Sequence, residues 1–155
     1  MRTRALLATV VVVSAPLDSL RAQERGGGTS PPAIDVRVQL GNAQDQLRFF
    51  PDSIRLEAGK LHRLILVNPS PQRHYFSSDR LAQSVYTRKV QVNGPGGDAL
   101  AEIKGYVREV EVGAGATVEW WLVPVRTGTV SDLACTAAGH AEAGMKGRIV
   151  VGAAP

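Results

Sequence analysis

Hydrophobic and polar residues alternate along several short segments of the chain, which is the pattern of half-buried β-strands. Residues 34–40 alternate isoleucine, valine and leucine with aspartate, arginine and glutamine. Residues 117–124 follow the same rule, which places Trp120 on the apolar face of that segment and Trp121 on the polar face. We therefore expect the first tryptophan to point inward and the second to point outward.

Further strand-like segments extend this pattern over most of the chain. They are residues 47–56, 61–67, 109–112, 130–135 and 147–151. One segment differs, because Ser78 and Asp79 precede Leu81 and Val85 at the spacing of a two-turn helix. A stretch rich in glycine and proline, residues 91–106, interrupts the middle. The pattern predicts an all-β, Greek-key β-sandwich of about seven to eight strands with one short surface helix.

The first 22 residues have the features of a secretory signal peptide: two arginines, an apolar run and a small residue, Ala22, at the expected cleavage position. The apolar run is shorter than the ~20 residues that a membrane-spanning helix needs, although an uncleaved anchor is the alternative. Residues 23–32 have the composition of a flexible leader. We expect one domain over residues 33–155, located in the periplasm or secreted, without stable membrane insertion.

The charge balance does not favour a nucleic-acid partner. The full chain has a formal net charge of +4, and loss of the predicted signal peptide removes three arginines and one aspartate, which leaves +2. A nearly neutral domain lacks the strong positive field that attracts nucleic acids or anionic membranes. We therefore expect no nucleic-acid partner.

The most informative stretch contains Cys135, His140 and Met145, each separated from the next by four residues that are mostly small. Two histidines, one cysteine thiolate and a weak axial methionine form the ligand set of a blue-copper site. One further histidine is needed, and the chain offers His62 and His74. The single cysteine of an exported protein also needs an explanation, and metal binding provides one where the alternative is a buried, inert thiol.

His74 is the better candidate for the remaining ligand. It follows the proline-rich exit from the strand-like run 61–67, where a side chain can face a loop from the far end of the sequence. His62 lies inside that run, so we expect it to be a structural or surface histidine. Zinc accepts the same cysteine and histidine donors and remains an alternative, but methionine is a poor zinc ligand.

These residues, together with the segments 50–59 and 146–151, resemble the small cupredoxins, the family of plastocyanin and azurin. The resemblance covers roughly residues 47–152, and the Cys-x₄-His-x₄-Met spacing is similar to that of rusticyanin-like members. The chain departs from the family at Tyr75, where an asparagine often follows the first histidine. The resemblance implies the β-sandwich fold and one copper ion. It implies four metal ligands, which are His74, Cys135, His140 and Met145.

The resemblance also implies a function: an exported type 1 copper protein that transfers single electrons and is not an enzyme. Its implied partner is a redox protein, such as a c-type cytochrome, an oxidase or a reductase, met transiently by a monomer. A periplasmic copper carrier or storage protein, or a non-redox metal-binding domain, would use the same residues and remains an alternative. A dinuclear copper enzyme would need a second cysteine, and a multicopper site would need histidines beyond His62.

Four expectations concern the surroundings of the ligands. We expect Thr136 and Asn68 to supply hydrogen bonds to the thiolate, because residues like these connect the ligand loops of cupredoxins. The polar, glycine-flanked setting of Met145 predicts shallow packing. The small neighbours of His140 predict that its ring edge reaches the surface, within a small apolar patch suited to brief contacts.

Overall fold

The computed structural model describes residues 32–154, which form two facing β-sheets. The predicted signal peptide, residues 1–22, lies outside the described residues, and so does the predicted leader as far as residue 31. Within the described range, every helix is too short or too polar to cross a bilayer.

Eleven strands and one helix occur within the described residues. In chain order they are β1 (Ile34–Leu40), β2 (Phe49–Phe50), β3 (Ser53–Glu57), β4 (His62–Val67), β5 (His74–Ser77), α1 (Asp79–Ser84), β6 (Val85–Asn93), β7 (Ala99–Ile103), β8 (Glu109–Val112), β9 (Thr117–Pro124), β10 (Gly128–Ala134) and β11 (Lys146–Gly152).

The strands are divided between a six-stranded sheet and a five-stranded sheet. The first has the order β2-β1-β4-β9-β6-β7, and the second has the order β3-β11-β10-β5-β8. Two pairs are parallel, β1 with β4 and β3 with β11, so the chain crosses between the sheets rather than forming only hairpins. The predicted all-β sandwich is therefore confirmed.

The core lies between the sheets and is centred on three aromatic rings. Phe76 packs edge to face against Phe49 on one side and Trp120 on the other, with ring centroids 5.8 and 6.3 Å apart. The buried indole of Trp120 donates a hydrogen bond to Thr87 Oγ1 at 3.1 Å. Trp121 is half-buried on the opposite face, so the two tryptophans point in opposite directions, as predicted.

The described residues have eleven strands rather than the predicted seven to eight, because the segment 47–56 is divided into β2 and β3 and because β5, β6 and β7 were not among the predicted segments. Strand β2 has two residues, β5 has four, and all five residues of β7 are exposed. Strand β7 forms a hairpin with β6, so the glycine- and proline-rich stretch 91–106 extends the first sheet. In β1, Val38 and Leu40 are buried, whereas Ile34 at the strand start is exposed.

The predicted helix is present as α1, capped by Ser78. The Ser78 hydroxyl accepts a hydrogen bond from the Leu81 N–H at 3.0 Å and donates one to Asp132 Oδ1 at 2.6 Å. Burial alone would raise the pKa of Asp132, but the hydrogen bonds from Ser78 and from the Arg80 N–H outweigh it and lower the pKa. One carboxylate on β10 thus holds the start of the helix against the sandwich.

Candidate metal centre

The candidate centre lies where β10 and β5 run side by side. Residue Ala134 at the end of β10 pairs with Ser77 of β5 in antiparallel register. The next residue along the chain, Cys135, therefore also lies beside β5, which begins with His74. The loop between β10 and β11 then carries His140 over the same point.

Three donor atoms converge at this position. His74 Nδ1 lies 3.2 Å from His140 Nδ1 and 3.9 Å from Cys135 Sγ, and His140 Nδ1 lies 3.4 Å from the same sulfur. Among the described residues, these three form the one group of histidine, cysteine and acidic side chains close enough together to hold a metal ion. The structure thus brings together three of the four residues selected from the sequence.

The triangle has the dimensions of a metal site. The point equidistant from the three atoms is about 2.0 Å from each of them, and bonds from a metal ion to imidazole nitrogen are ~2.0–2.1 Å long. Two imidazoles and a thiolate in a trigonal arrangement suit copper, which tolerates a soft ligand set. The residues present therefore fit a single copper ion.

The sulfur of Cys135 is fully buried and accepts a hydrogen bond from the backbone N–H of Tyr75 at 3.3 Å. The expectation that Thr136 and Asn68 supply hydrogen bonds to the thiolate is wrong. The Thr136 hydroxyl turns away from the sulfur and donates to the Glu109 carboxylate at 2.7 Å. A backbone donor on β5 takes the expected position, because the strand that carries the first histidine runs directly beside the cysteine.

Asn68 has a different role, which is to hold the segment before His74 in place. The two N–H groups of its buried side-chain amide lie among three carbonyl oxygens, those of Gln72, Val112 and Gly113, with Nδ2 at 2.7, 2.8 and 3.1 Å from them, so one proton is shared. Its amide oxygen accepts the N–H of Ser70 at 3.0 Å. Asn68 therefore fixes the 68–73 segment to the turn that follows β8.

Met145 is fully buried within the core, so the prediction of shallow packing is wrong. Its neighbours Gly144 and Lys146 are exposed, whereas its own side chain points inward. In a loop, the polarity of the neighbouring residues therefore does not predict whether a side chain is buried. The Met145 carbonyl accepts the Cys135 N–H at 3.0 Å, and the Met145 N–H donates to the His140 carbonyl at 2.9 Å. These two bonds close the loop and hold the three residues in a fixed relation.

His140 is the least buried of the three converging residues, and it lines a surface depression together with Ala137 and Ala114. An exposed ion pair, Arg73 with Glu111 at 3.4 Å, borders the same depression. The centre is thus closed to solvent on the side of the core and reaches the surface at one imidazole.

The far side of the His74 ring is in contact with two residues that sequence analysis did not select. His74 Nε2 lies 2.9 Å from the hydroxyl of Ser70, and Gly41 packs so closely that an added Cβ would lie 2.7 Å from the same nitrogen. Burial, followed by the charge of His140, lowers the pKa of His74, and the charge of Asp45 opposes this shift only in part. Ser70 could have been found from the sequence only through its position four residues before the candidate ligand His74.

His62 lies away from the centre. It opens β4, whereas the centre lies beyond the other end of that strand, about 20 Å along an extended chain of six residues. His62 is buried, and its Nε2 lies 3.0 Å from the Glu57 N–H, which donates to it. Burial lowers the pKa of His62 more than its contacts with Glu57 raise it.

We expect the pH dependence of stability to reflect the burial of His62. As the pH falls below the ordinary histidine value of 6.5, the unfolded chain takes up a proton that the folded protein does not, so the free energy of unfolding decreases. Urea unfolding of the metal-free protein should therefore show lower stability at pH 5 than at pH 7. In His62→Gln this decrease should be smaller, with the remainder arising from His74, and equal decreases in both proteins would contradict the assignment.

Comparison with known proteins gives no match to a protein-family model. The sequence also matches no curated protein.

Solved structures, in contrast, do share the fold. Auracyanin B aligns with a TM-score of 0.50 at 23% identity, covering 78% of this chain and 90% of that protein. Auracyanin A, a "blue" copper protein from the green thermophilic photosynthetic bacterium Chloroflexus aurantiacus, aligns with a TM-score of 0.50 at 18% identity over 78% of this chain and all of its own.

Larger copper proteins contain the same architecture as one part of their chains. A multicopper oxidase from Campylobacter jejuni aligns with a TM-score of 0.54 at 14% identity, and the alignment covers 77% of this chain but only 30% of the oxidase. The fold is therefore shared by a small blue copper protein and by part of an oxidase. The described residues have the cupredoxin fold, and the donor set at one end of the sandwich fits a single copper ion.

Proposed function

We propose that this chain is an exported type 1 copper protein that transfers single electrons between redox partners. The observation that carries the proposal is the triangle of His74 Nδ1, His140 Nδ1 and Cys135 Sγ, with sides of 3.2 to 3.9 Å. A fourth residue, Met145, belongs to the same closed loop and would add a weak thioether donor to this set. When bound, copper supplies a one-electron couple between its monovalent and divalent states.

The residues of the chain serve electron transfer by holding one geometry. His74 is the first residue of β5 and Cys135 directly follows β10, so two ligands are attached to paired strands. The backbone bonds of Met145 fix the loop that carries His140. Because copper(I) and copper(II) favour different geometries, ligands that are held in one arrangement reduce the rearrangement that accompanies each transfer.

The surroundings of the Cys135 sulfur influence the reduction potential of the centre. The Tyr75 N–H donates a hydrogen bond to Cys135 Sγ, which withdraws electron density from the thiolate and favours the reduced state. His74, Cys135 and Met145 are fully buried, so their side chains exclude water on the core side of the centre. The His140 imidazole, the least buried of the converging side chains, would be the shortest route for an electron between the centre and the surface.

The surface around His140 supports a transient protein partner. The small residues Ala138, Gly139 and Ala141 flank His140 in the sequence, and Ala114 and Ala137 line the depression beside it. A small surface of this kind, where alanines lie beside the exposed ion pair of Arg73 with Glu111, favours short-lived contacts. We propose a c-type cytochrome, an oxidase or a reductase as the partner, met by a monomer in the periplasm or outside the cell.

The number of cysteine and histidine side chains that could bind copper agrees best with electron transfer without catalysis. The chain has one cysteine and three histidines, and the cluster uses the cysteine and two of the histidines. His62 lies at the other end of β4, so the described residues offer no second group of histidines for a further copper ion.

The test is the visible absorption and electron paramagnetic resonance spectrum of the protein loaded with Cu(II). We expect an intense thiolate-to-copper charge-transfer band, a narrow copper hyperfine splitting and a reversible one-electron wave in voltammetry. A colourless protein with ordinary Cu(II) spectra would contradict the proposal. Rapid release of copper to a chelator on mixing would instead favour a copper carrier.

A further inference from the structure

Ser70 occupies an unusual position beside the candidate centre. Its side chain is buried, with 2% of its surface exposed, and its hydroxyl has three hydrogen-bonding neighbours. The Gln72 N–H donates to Ser70 Oγ at 3.0 Å, the Gln72 carbonyl oxygen lies at 3.2 Å, and His74 Nε2 lies at 2.9 Å. A serine hydroxyl has one proton to donate and two lone pairs to accept with.

Because the Ser70 hydroxyl has a single proton, one arrangement of its hydrogen bonds is favoured over the other. The Gln72 carbonyl can only accept, so if the Ser70 hydroxyl donates to it, the imidazole must donate from Nε2 and all three hydrogen bonds form. If the hydroxyl instead donates to Nε2, the carbonyl loses this bond and two hydrogen bonds remain. We propose that Ser70 is the positioning residue for His74: it accepts the Nε2 proton, fixes the ring tautomer and leaves the Nδ1 lone pair facing Cys135 and His140.

Two further contacts prevent the ring and the serine from adopting another arrangement. The N–H of Ser70 donates to Asn68 Oδ1 at 3.0 Å, which fixes the serine backbone. Gly41 closes the other side of the ring edge, since an added Cβ there would lie 2.7 Å from His74 Nε2 and 3.0 Å from Ser70 Cβ. The space around Nε2 is therefore filled by Ser70 and Gly41.

As a consequence, His74 has an unprotonated Nδ1 already in the metal-free protein. Imidazole binds a metal through a nitrogen that carries no proton, and the hydrogen bond of the other nitrogen decides which one that is. The role of Ser70 in metal affinity rests on the proposed copper function. The tautomer itself is a property of the metal-free protein and can be measured separately.

The first experiment is a nitrogen-15 correlation spectrum of the histidine rings in the metal-free wild-type protein at about pH 8, where histidines are neutral. We expect His74 to carry its proton on Nε2 in a single tautomer. A proton on Nδ1 would overturn the proposal, whether or not any variant folds.

The second experiment compares Ser70→Ala with Ser84→Ala as a matched control. Ser84 is a partly buried serine at the end of α1, and its hydroxyl donates to the Leu81 carbonyl within the same helix at 3.1 Å. Competition with a Cu(I) chelator should show a loss of affinity of roughly 10- to 100-fold in Ser70→Ala and no loss in Ser84→Ala. The ring spectrum of Ser70→Ala should show His74 in a mixture of tautomers.

The outcomes separate the two proposals. A wild-type protein that binds no copper but holds His74 in the Nε2–H tautomer contradicts the proposed function and leaves the positioning role of Ser70 intact. A wild-type protein that binds copper, with Ser70→Ala retaining both the tautomer and an affinity within about twofold of wild type, overturns the positioning role alone.

Discussion

Replacing Cys135 with serine is expected to abolish the intense visible band of the copper-loaded protein completely. The band requires a thiolate bound to copper, and Cys135 is the only cysteine in the chain. A serine hydroxyl stays protonated near neutral pH and is a hard oxygen ligand that suits copper(I) poorly. Affinity for Cu(I) should fall by more than the roughly 10- to 100-fold that loss of an outer hydrogen-bond partner causes. Absorption spectroscopy and chelator competition measure the two effects.

The control for this experiment is His62→Gln, which alters a buried residue at the opposite end of β4. It should retain the band and the Cu(I) affinity, because His62 is not part of the cluster of His74, Cys135 and His140. Near-ultraviolet circular dichroism of metal-free Cys135→Ser should match wild type, since the Tyr75 N–H can donate to a hydroxyl as it does to the sulfur. An intense band that survived in Cys135→Ser would exclude thiolate ligation.

Two of the three converging side chains could be selected from sequence because the information is local. Cys135 and His140 lie five residues apart on one loop, so their proximity follows from chain connectivity. His74 was selected by its place after a strand-like run, and the pairing of β5 with β10 brings it to the same point. The alternation of apolar residues likewise predicted the sandwich, since period-two burial follows from strand geometry alone.

The parts that sequence did not predict depend on contacts between distant segments. The donor to the sulfur is a backbone group of Tyr75, and backbone groups have no sequence signature. Gly41 lies 33 residues before His74, and only the folded structure shows that its missing side chain leaves room for the ring. Met145 was expected to be shallow because its neighbours are polar, yet loop side chains do not follow the regular alternation of a strand. The candidate ligands of one loop are thus readable from local spacing, whereas the contacts that support them are set by tertiary packing.

Replacing Gly41 with alanine is expected to disturb both the stability of the protein and the copper centre. Gly41 has a backbone φ of 68°, where an alanine costs about 1–2 kcal/mol. The added Cβ would also meet His74 Nε2 at 2.7 Å and Ser70 Cβ at 3.0 Å, both held by other contacts. Overpacking of this kind costs a further 1–3 kcal/mol, approximately. Urea unfolding of the metal-free protein measures the loss, and the spectra of the copper-loaded protein should shift because His74 must move.

Gly59→Ala separates the two contributions. Gly59 has a φ of 77°, so alanine suffers the same backbone strain there, but no atom lies within 4 Å of its added Cβ. We therefore expect Gly59→Ala to lose only the backbone share, about 1–2 kcal/mol, and to keep wild-type copper spectra. The additional loss of stability in Gly41→Ala, together with its spectral shift, then measures how strongly the contact with Gly41 fixes the position of the His74 ring. Equal losses of stability and identical spectra in the two variants would mean that the position of the ring does not depend on Gly41.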